Sequence, residues 1–117
     1  MSAMPAVTAL SDAEYHAKTH AVLSGIEACA DRWLDADLVD IDTQRNGGLL
    51  ELTFPNRSKI IINTQPPLHE LWLASKAGGF HFSYRDGRWL DTREGTEFFA
   101  LLAREASAQA GLSLKFS

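Results

Sequence analysis

The 117-residue sequence predicts an α+β fold: a two-layer sandwich with an N-terminal and a C-terminal helix on one face of a single antiparallel sheet of about six strands. Three observations point there. Toward both ends, apolar side chains recur at alternating steps of three and four, the period of an amphipathic helix. Between them the period changes to two, broken at short intervals by Gly, Asn, Asp and Pro, as in strands joined by hairpins. Helices flanking such a run can bury their apolar stripes together only against the same side of the sheet, which leaves the other side to solvent. A chain of this length holds one core and one domain.

Residues 1–10, with Pro5 and no periodicity, are expected to be a disordered leader, and residues 11–117 the domain. Ser11 and Glu14 make a capping box, and Tyr15, Thr19, Val22, Ile26, Cys29 and Trp33 continue as the apolar face of a helix over residues 12–33. The opposite side carries His16, His20, Ser24, Glu27 and Asp31 in a stripe about 80° wide. Residues 34–38 are an acidic connection to a first strand over 39–45. Asn46-Gly47-Gly48 turns the chain into residues 50–54, and Pro55-Asn56-Arg57 turns it again. Residues 59–63 form a β-branched strand that Pro66-Pro67 must interrupt, and residues 71–74 resume it. Gly78-Gly79 turns into residues 80–84, and Asp86-Gly87 leads to a short strand over 88–90. Residues 96–110 put Phe99, Leu102, Ala103, Ala106 and Ala110 on one helix face, Gly111 is the C-cap glycine, and residues 112–116 fold back on the core.

Period two also sorts the side chains between Lys59 and Tyr84. With Leu71 and Leu73 toward the core, Trp72 points the other way. Phe80, Phe82 and Tyr84 point in, while His81 and Ser83 point out. Asn63 and Gln65 lie opposite Ile60 and Ile62. The open face is therefore expected to carry Asn63, Gln65, Trp72 and His81 together, an aromatic among amides of the kind that anchors a protein partner. Trp89 is expected inside.

The net charge of −4 is concentrated, because Asp31 to Asp42 alone contains five aspartates and one arginine. Carboxylates crowded in this way repel one another, and a bound cation relieves the repulsion. Glu27, Asp31, Asp35, Asp37, Asp40 and Asp42 are thus candidate ligands for a hard or borderline metal such as iron, manganese or calcium. Asp35-x-Asp37-x-x-Asp40 lacks the glycine and the terminal glutamate of an EF-hand. His16 and His20 stand one turn apart, a spacing at which two imidazoles can share a metal, but the further ligands of a full site are missing.

Other functions fit poorly. A base-stacking sheet needs exposed aromatics on a basic surface, whereas Phe80, Phe82 and Tyr84 face inward and the chain is acidic, so no nucleic-acid partner is expected. No G-x-S-x-G, Walker loop, H-E-x-x-H or C-x-x-C occurs, which leaves an ordinary hydrolase without a nucleophile. The single Cys29 cannot form an internal disulfide and reads as a small core residue. With no apolar run of about 18 residues and no signal-peptide pattern, no membrane partner and a cytoplasmic location are expected.

Asn63-x-Gln65-x-Pro67, followed by Leu71-Trp72-Leu73-Ala74-Ser75 and then Gly78-Gly79-Phe80-His81-Phe82, closely resembles the frataxin family, its bacterial branch above all. The resemblance runs from about Tyr15 to the C-terminus. It implies the same sandwich and iron, Fe²⁺ or Fe³⁺, held weakly at the surface by an acidic ridge on the first helix and first strand. Glu27, Asp31, Asp40 and Asp42 match positions of that ridge, and His16 matches a helix histidine of bacterial members. Ala28, Arg32 and Gln44 depart from it, standing where relatives carry acids, and the link from Trp33 to Asp40 is about two residues longer. The implied iron capacity is correspondingly lower. The resemblance further implies a non-enzymatic, monomeric modulator of iron-sulfur cluster assembly. The ridge would meet a basic patch of the cysteine desulfurase, and the Trp72 face would meet the scaffold protein. The alternative is an iron store or ferroxidase that forms iron-dependent oligomers.

Overall fold

Ser11 opens the first helix as the capping box requires. Its hydroxyl accepts from the Glu14 N–H at 3.1 Å, and the Glu14 carboxylate accepts from the Ser11 N–H at 2.9 Å. The backbone bond, helped by the serine hydroxyl, holds the Glu14 carboxyl below its usual range. In the computed structural model, which describes residues 4–116, helix α1 spans Asp12–Asp35 and buries Tyr15, Val22, Leu23, Ile26 and Cys29. It runs two residues beyond its expected end and closes in a paired-carbonyl turn. Leu38 N–H donates to Trp33 C=O at 2.8 Å and Asp37 N–H to Leu34 C=O at 3.0 Å, with Asp37 at a left-handed φ of 55°.

The sheet is a meander in chain order, antiparallel throughout: β1 (Asp42–Asn46), β2 (Leu49–Thr53), β3 (Lys59–Gln65), β4 (Glu70–Ser75), β5 (Gly78–Arg85) and β6 (Arg88–Asp91). Most strand ends differ from expectation by one or two residues, and three boundaries have a clear physical setting. The first strand starts at Asp42 rather than at residue 39, although Ile41 is already buried ahead of it. Gly78 and Gly79 belong to β5, and Lys76-Ala77 make the turn. Helix α2 spans Phe98–Ala110, two residues later than residue 96, because the Glu97 carboxylate caps it by accepting from the Phe99 and Ala100 N–H groups. Gly111 ends it at a φ of 74°, a conformation that a Cβ disfavours. At the β1–β2 turn Gly48 is required for a different reason, since a Cβ there would come within 2.1 Å of Thr64 Oγ1.

Both helices cover the same face. Tyr15, Leu23 and Ile26 of α1 join Phe98, Leu101 and Leu102 of α2 in one apolar cluster with Leu50, Leu52, Ile60, Ile62, Leu71, Leu73, Phe82 and Trp89 of the sheet. Leu114 of the C-terminal tail is buried with them, and Phe116 sits edge-on to Trp33 at 5.0 Å. Residues 4–10 have no regular structure, and hydrogen bonds join them to β5 and the turn after it. Thr8 N–H donates to Tyr84 C=O at 2.8 Å, Asp86 N–H to Thr8 Oγ1 at 3.1 Å, and Arg85 Nη1 to Pro5 C=O at 2.6 Å. Residues 1–3 lie outside the described residues. Arg85 and Ser83 share the outer sheet face, as does Leu90 opposite Ser83, and both Ser83 (5% exposed) and Leu90 (3% exposed) are shielded at this corner.

The β3–β4 crossing is where helix and sheet are joined. A proline brings no N–H to a strand pair, so β3 stops at Gln65, and Pro66–Leu68 form a single 3₁₀ turn closed by His69 at a left-handed φ of 50°. The Tyr15 hydroxyl reaches into this opening. It donates to Glu70 C=O at 2.5 Å and accepts from Gln65 N–H at 2.9 Å, bridging two residues that face each other in the register. His69 stacks on the Tyr15 ring at 4.7 Å with its Nε2 2.7 Å from the Asp12 carboxylate. Burial pushes the phenol pKa up, against the opposing pull of the Gln65 and Thr64 hydrogen bonds, so Tyr15 stays a neutral donor. Tyr15→Phe removes the partner of a part-buried N–H and C=O and is expected to cost about 1–3 kcal/mol in thermal or urea unfolding. A variant that unfolds together with the parent would show that the bridge contributes nothing.

Candidate functional site

On the face turned away from the helices, the register aligns Leu49 of β2, Asn63 of β3, Trp72 of β4 and His81 of β5 in one row. The neighbouring row on the same face holds Gln65, Glu70 and Ser83. The four residues expected together on the open face therefore do share it. Trp72 is not a free-standing ring, however. It is half-buried, stacked on His81 with 3.9 Å between centroids and 3° between planes, and its Nε1 donates to Glu70 Oε1 at 2.9 Å. That oxygen lies 3.9 Å from His81 Nδ1. The surroundings of the indole are thus a carboxylate and an imidazole as well as amides.

Two members of this surface escape the sequence pattern. Leu49, 39% exposed, falls on the strand side of a turn boundary that composition places one residue later. Glu70 falls in the interval between the prolines and the first apolar residue of β4, yet its position two residues before Trp72 puts both on one face.

The acidic ridge is an extended band. Asp31 and Asp35 lie on the last turns of α1, Asp37 in the turn after it, Asp40 in the connection and Asp42 at the start of β1; all five are exposed. Glu27 differs. Arg45, on the inward face of β1 opposite buried Leu50, reaches across to α1 and gathers its polar stripe. Arg45 Nη1 lies 2.7 Å from the Glu27 carboxylate and 3.2 Å from Ser24 Oγ, and its Nη2 lies 2.8 Å from His20 Nδ1. A guanidinium only donates, so His20 accepts at Nδ1. His16 is exposed near the start of α1, edge-on to Tyr15 at 5.5 Å, in a cleft with His20 and Arg45 and apart from the aspartates. Among the described residues, no three His, Cys, Asp or Glu side chains converge on one metal position. Cys29 is buried, and its Sγ accepts from Arg32 Nη2 at 3.2 Å.

The architecture is that of a small α+β sandwich whose polar chemistry lies on its surfaces. Over residues 8–112 it matches the frataxin-like domain, and the chain belongs to the frataxin family. It is 52% identical over 108 residues to the iron-sulfur cluster assembly protein CyaY of Burkholderia mallei (strain SAVP1), a match covering 92% of this chain and 99% of that relative. Among solved structures, the frataxin of Psychromonas ingrahamii superposes with a TM-score of 0.83 at 34% identity, over 92% of this chain and 99% of that one. The trimeric frataxin of the yeast Saccharomyces cerevisiae, complexed with ferrous iron, superposes at 0.66 with 25% identity, over 92% and 93% of the two chains.

Exposed like charges along the ridge work against compaction, and salt screens them. The double variant Asp40→Asn/Asp42→Asn is therefore expected to melt above the parent in low salt without metal, with the gap closing at about 1 M salt. A double variant that melts below the parent in low salt would contradict stored repulsion.

Proposed function

We propose that this chain binds ferrous iron weakly along the acidic ridge and modulates iron-sulfur cluster assembly in the cytoplasm by contact rather than by turnover. The observation that carries the proposal is the row Leu49, Asn63, Trp72 and His81, a strip of one apolar, one amide and two aromatic side chains on a sheet face that no helix among the described residues covers. A half-buried tryptophan fixed by neighbours is the kind of residue that dominates a protein interface. Relatives 52% identical to this chain are named iron-sulfur cluster assembly proteins, which supports the process. The yeast structure with ferrous iron supports the metal.

In this reading the scaffold protein meets the Trp72 row, with Gln65 beside it, and the ridge faces a basic patch on the cysteine desulfurase. Asp31, Asp35, Asp37, Asp40 and Asp42 supply exposed oxygen ligands. Glu27 joins them only by giving up Arg45, and His16 contributes separately. No helix among the described residues is long and apolar enough to cross a membrane. The trimeric, ferrous yeast protein favours keeping a second reading, an iron store or ferroxidase that assembles as it fills. Desulfurase turnover measured with and without this protein, at low and high Fe²⁺, tests the first reading. Sedimentation during iron addition tests the second, since a modulator stays monomeric with one or a few ions bound.

Exposed carboxylates without a cage predict Fe²⁺ binding on the order of micromolar or weaker, readily displaced by other divalent ions. In an NMR titration Asp31, Asp40 and Asp42 should broaden first and Glu27 later, behind its guanidinium. Broadening confined to His69 and His81 would move the metal off the ridge. Trp72→Ala is expected to weaken binding to the desulfurase–scaffold complex by at least ~30-fold, from an anchor worth about 2 kcal/mol, with little loss of stability. Trp89→Ala is the contrasting variant: at 5% exposure in the core its loss should cost about 3–5 kcal/mol of folding. If Trp72→Ala unfolds the chain and Trp89→Ala does not, the partner face is misassigned.

A further inference from the structure

Glu70 stands where the inner joint and the outer face meet. Its backbone C=O takes the Tyr15 hydroxyl at 2.5 Å, which fixes the chain at the start of β4. Its side chain lies on the opposite face, where Oε1 accepts from Trp72 Nε1 at 2.9 Å and lies 3.9 Å from His81 Nδ1. The indole N–H is the single polar handle by which a tryptophan ring on a sheet face can be oriented. The stack on His81 limits tilt but does not by itself choose which ring edge points along the strand. The bond to Glu70 does. The carboxylate is 21% exposed, so the bond forms where water competes less and a charged acceptor counts for more.

We infer that Glu70 is the positioning residue of the docking face: through the Trp72 N–H it holds the indole in the stacked orientation that a partner protein meets. The inference rests on the reading of this face as the partner surface. Holding a large side chain in its bound orientation before contact removes an ordering cost from association. The Tyr15 bond makes this anchor stiff, because the residue that orients the indole is itself fixed through its backbone to α1.

The test compares Glu70→Ala, which removes the acceptor, with Glu70→Gln, which keeps an oxygen at the same reach. The Trp72 indole N–H is assigned among the three tryptophans by its loss in Trp72→Phe. In Glu70→Ala this resonance should move upfield, and the His81 ring protons should lose the upfield shift imposed by the stacked indole. Binding to the desulfurase–scaffold complex should weaken by about 10-fold, as expected for losing a hydrogen bond to a charged group. Glu70→Gln should restore the His81 ring shifts and most of the affinity. The positioning role is overturned if Glu70→Ala leaves the Trp72 and His81 resonances in place, or if it binds as tightly as the parent. Should Glu70→Ala lose its native dispersion, Glu70→Asp, one methylene shorter, is read in the same way. A parent chain that does not bind the complex would overturn the partner reading instead, while the resonance comparison would still decide what Glu70 does to the indole.

Discussion

One phenol hydroxyl holds the two layers of this protein in register. Tyr15 lies on the first turns of α1, completely buried, and its oxygen bridges Gln65 N–H and Glu70 C=O at the point where two prolines break the sheet. Without the bridge, the interruption would leave part-buried backbone polar groups without this partner at the edge of the core, where each is costly. With it, the helix is joined to the sheet at a defined height and the Pro66–Leu68 crossing is closed on its inner side. The apolar helix–sheet contacts could tolerate some sliding; directional bonds between named atoms, this one and those of Arg45 in β1 to Glu27, Ser24 and His20 in α1, could not.

That joint also explains why the outer face is ordered. A sheet face without a covering layer normally carries side chains that solvent leaves mobile. Here the strand that bears Trp72 begins at the residue Tyr15 fixes, and the same residue holds the indole from the other side. His81 arrives from β5 by register alone, directly opposite Trp72. Inner packing and outer surface are therefore linked through the backbone of β4, and a defect on one side is felt on the other.

The fold was legible because it rests on periodicity. The change from steps of three and four to steps of two located both helices and the strands, and strict alternation put Trp72 and His81 on one face and Trp89 on the other. Short-range chemistry was legible too: Ser11 with Glu14 capped a helix, and Gly111 ended one. What could not be read were contacts set by three-dimensional distance. Nothing in the spacing of Glu27 and Arg45, 18 residues apart, announces that β1 aims a guanidinium at α1. The ties of Pro5 and Thr8 to β5 span about 80 residues and depend on where the chain turns. Glu70 was hidden differently. It sits beside prolines, where strand boundaries are hard to fix, and its role appears only once Trp72 has a direction.

The two surfaces differ in how much structure they impose on a ligand. The aromatic row is preorganised, each ring set by a stack, a hydrogen bond or a backbone register. The ridge is not: its aspartates are exposed and dispersed, and the carboxylate nearest the helix body, Glu27, already has an internal cation in Arg45. A metal arriving at the ridge must therefore either accept the loose oxygen field of the aspartates or displace a guanidinium held at three points, Glu27, Ser24 and His20. The first route gives weak, exchangeable binding. The second requires losing a half-buried ion pair that helps fix β1 to α1, so any ion that recruits Glu27 also loosens the edge of the sandwich. If iron binds the ridge as proposed, tight capture through Glu27 and a stable edge are opposed, an argument for the proposed modulator over the iron store.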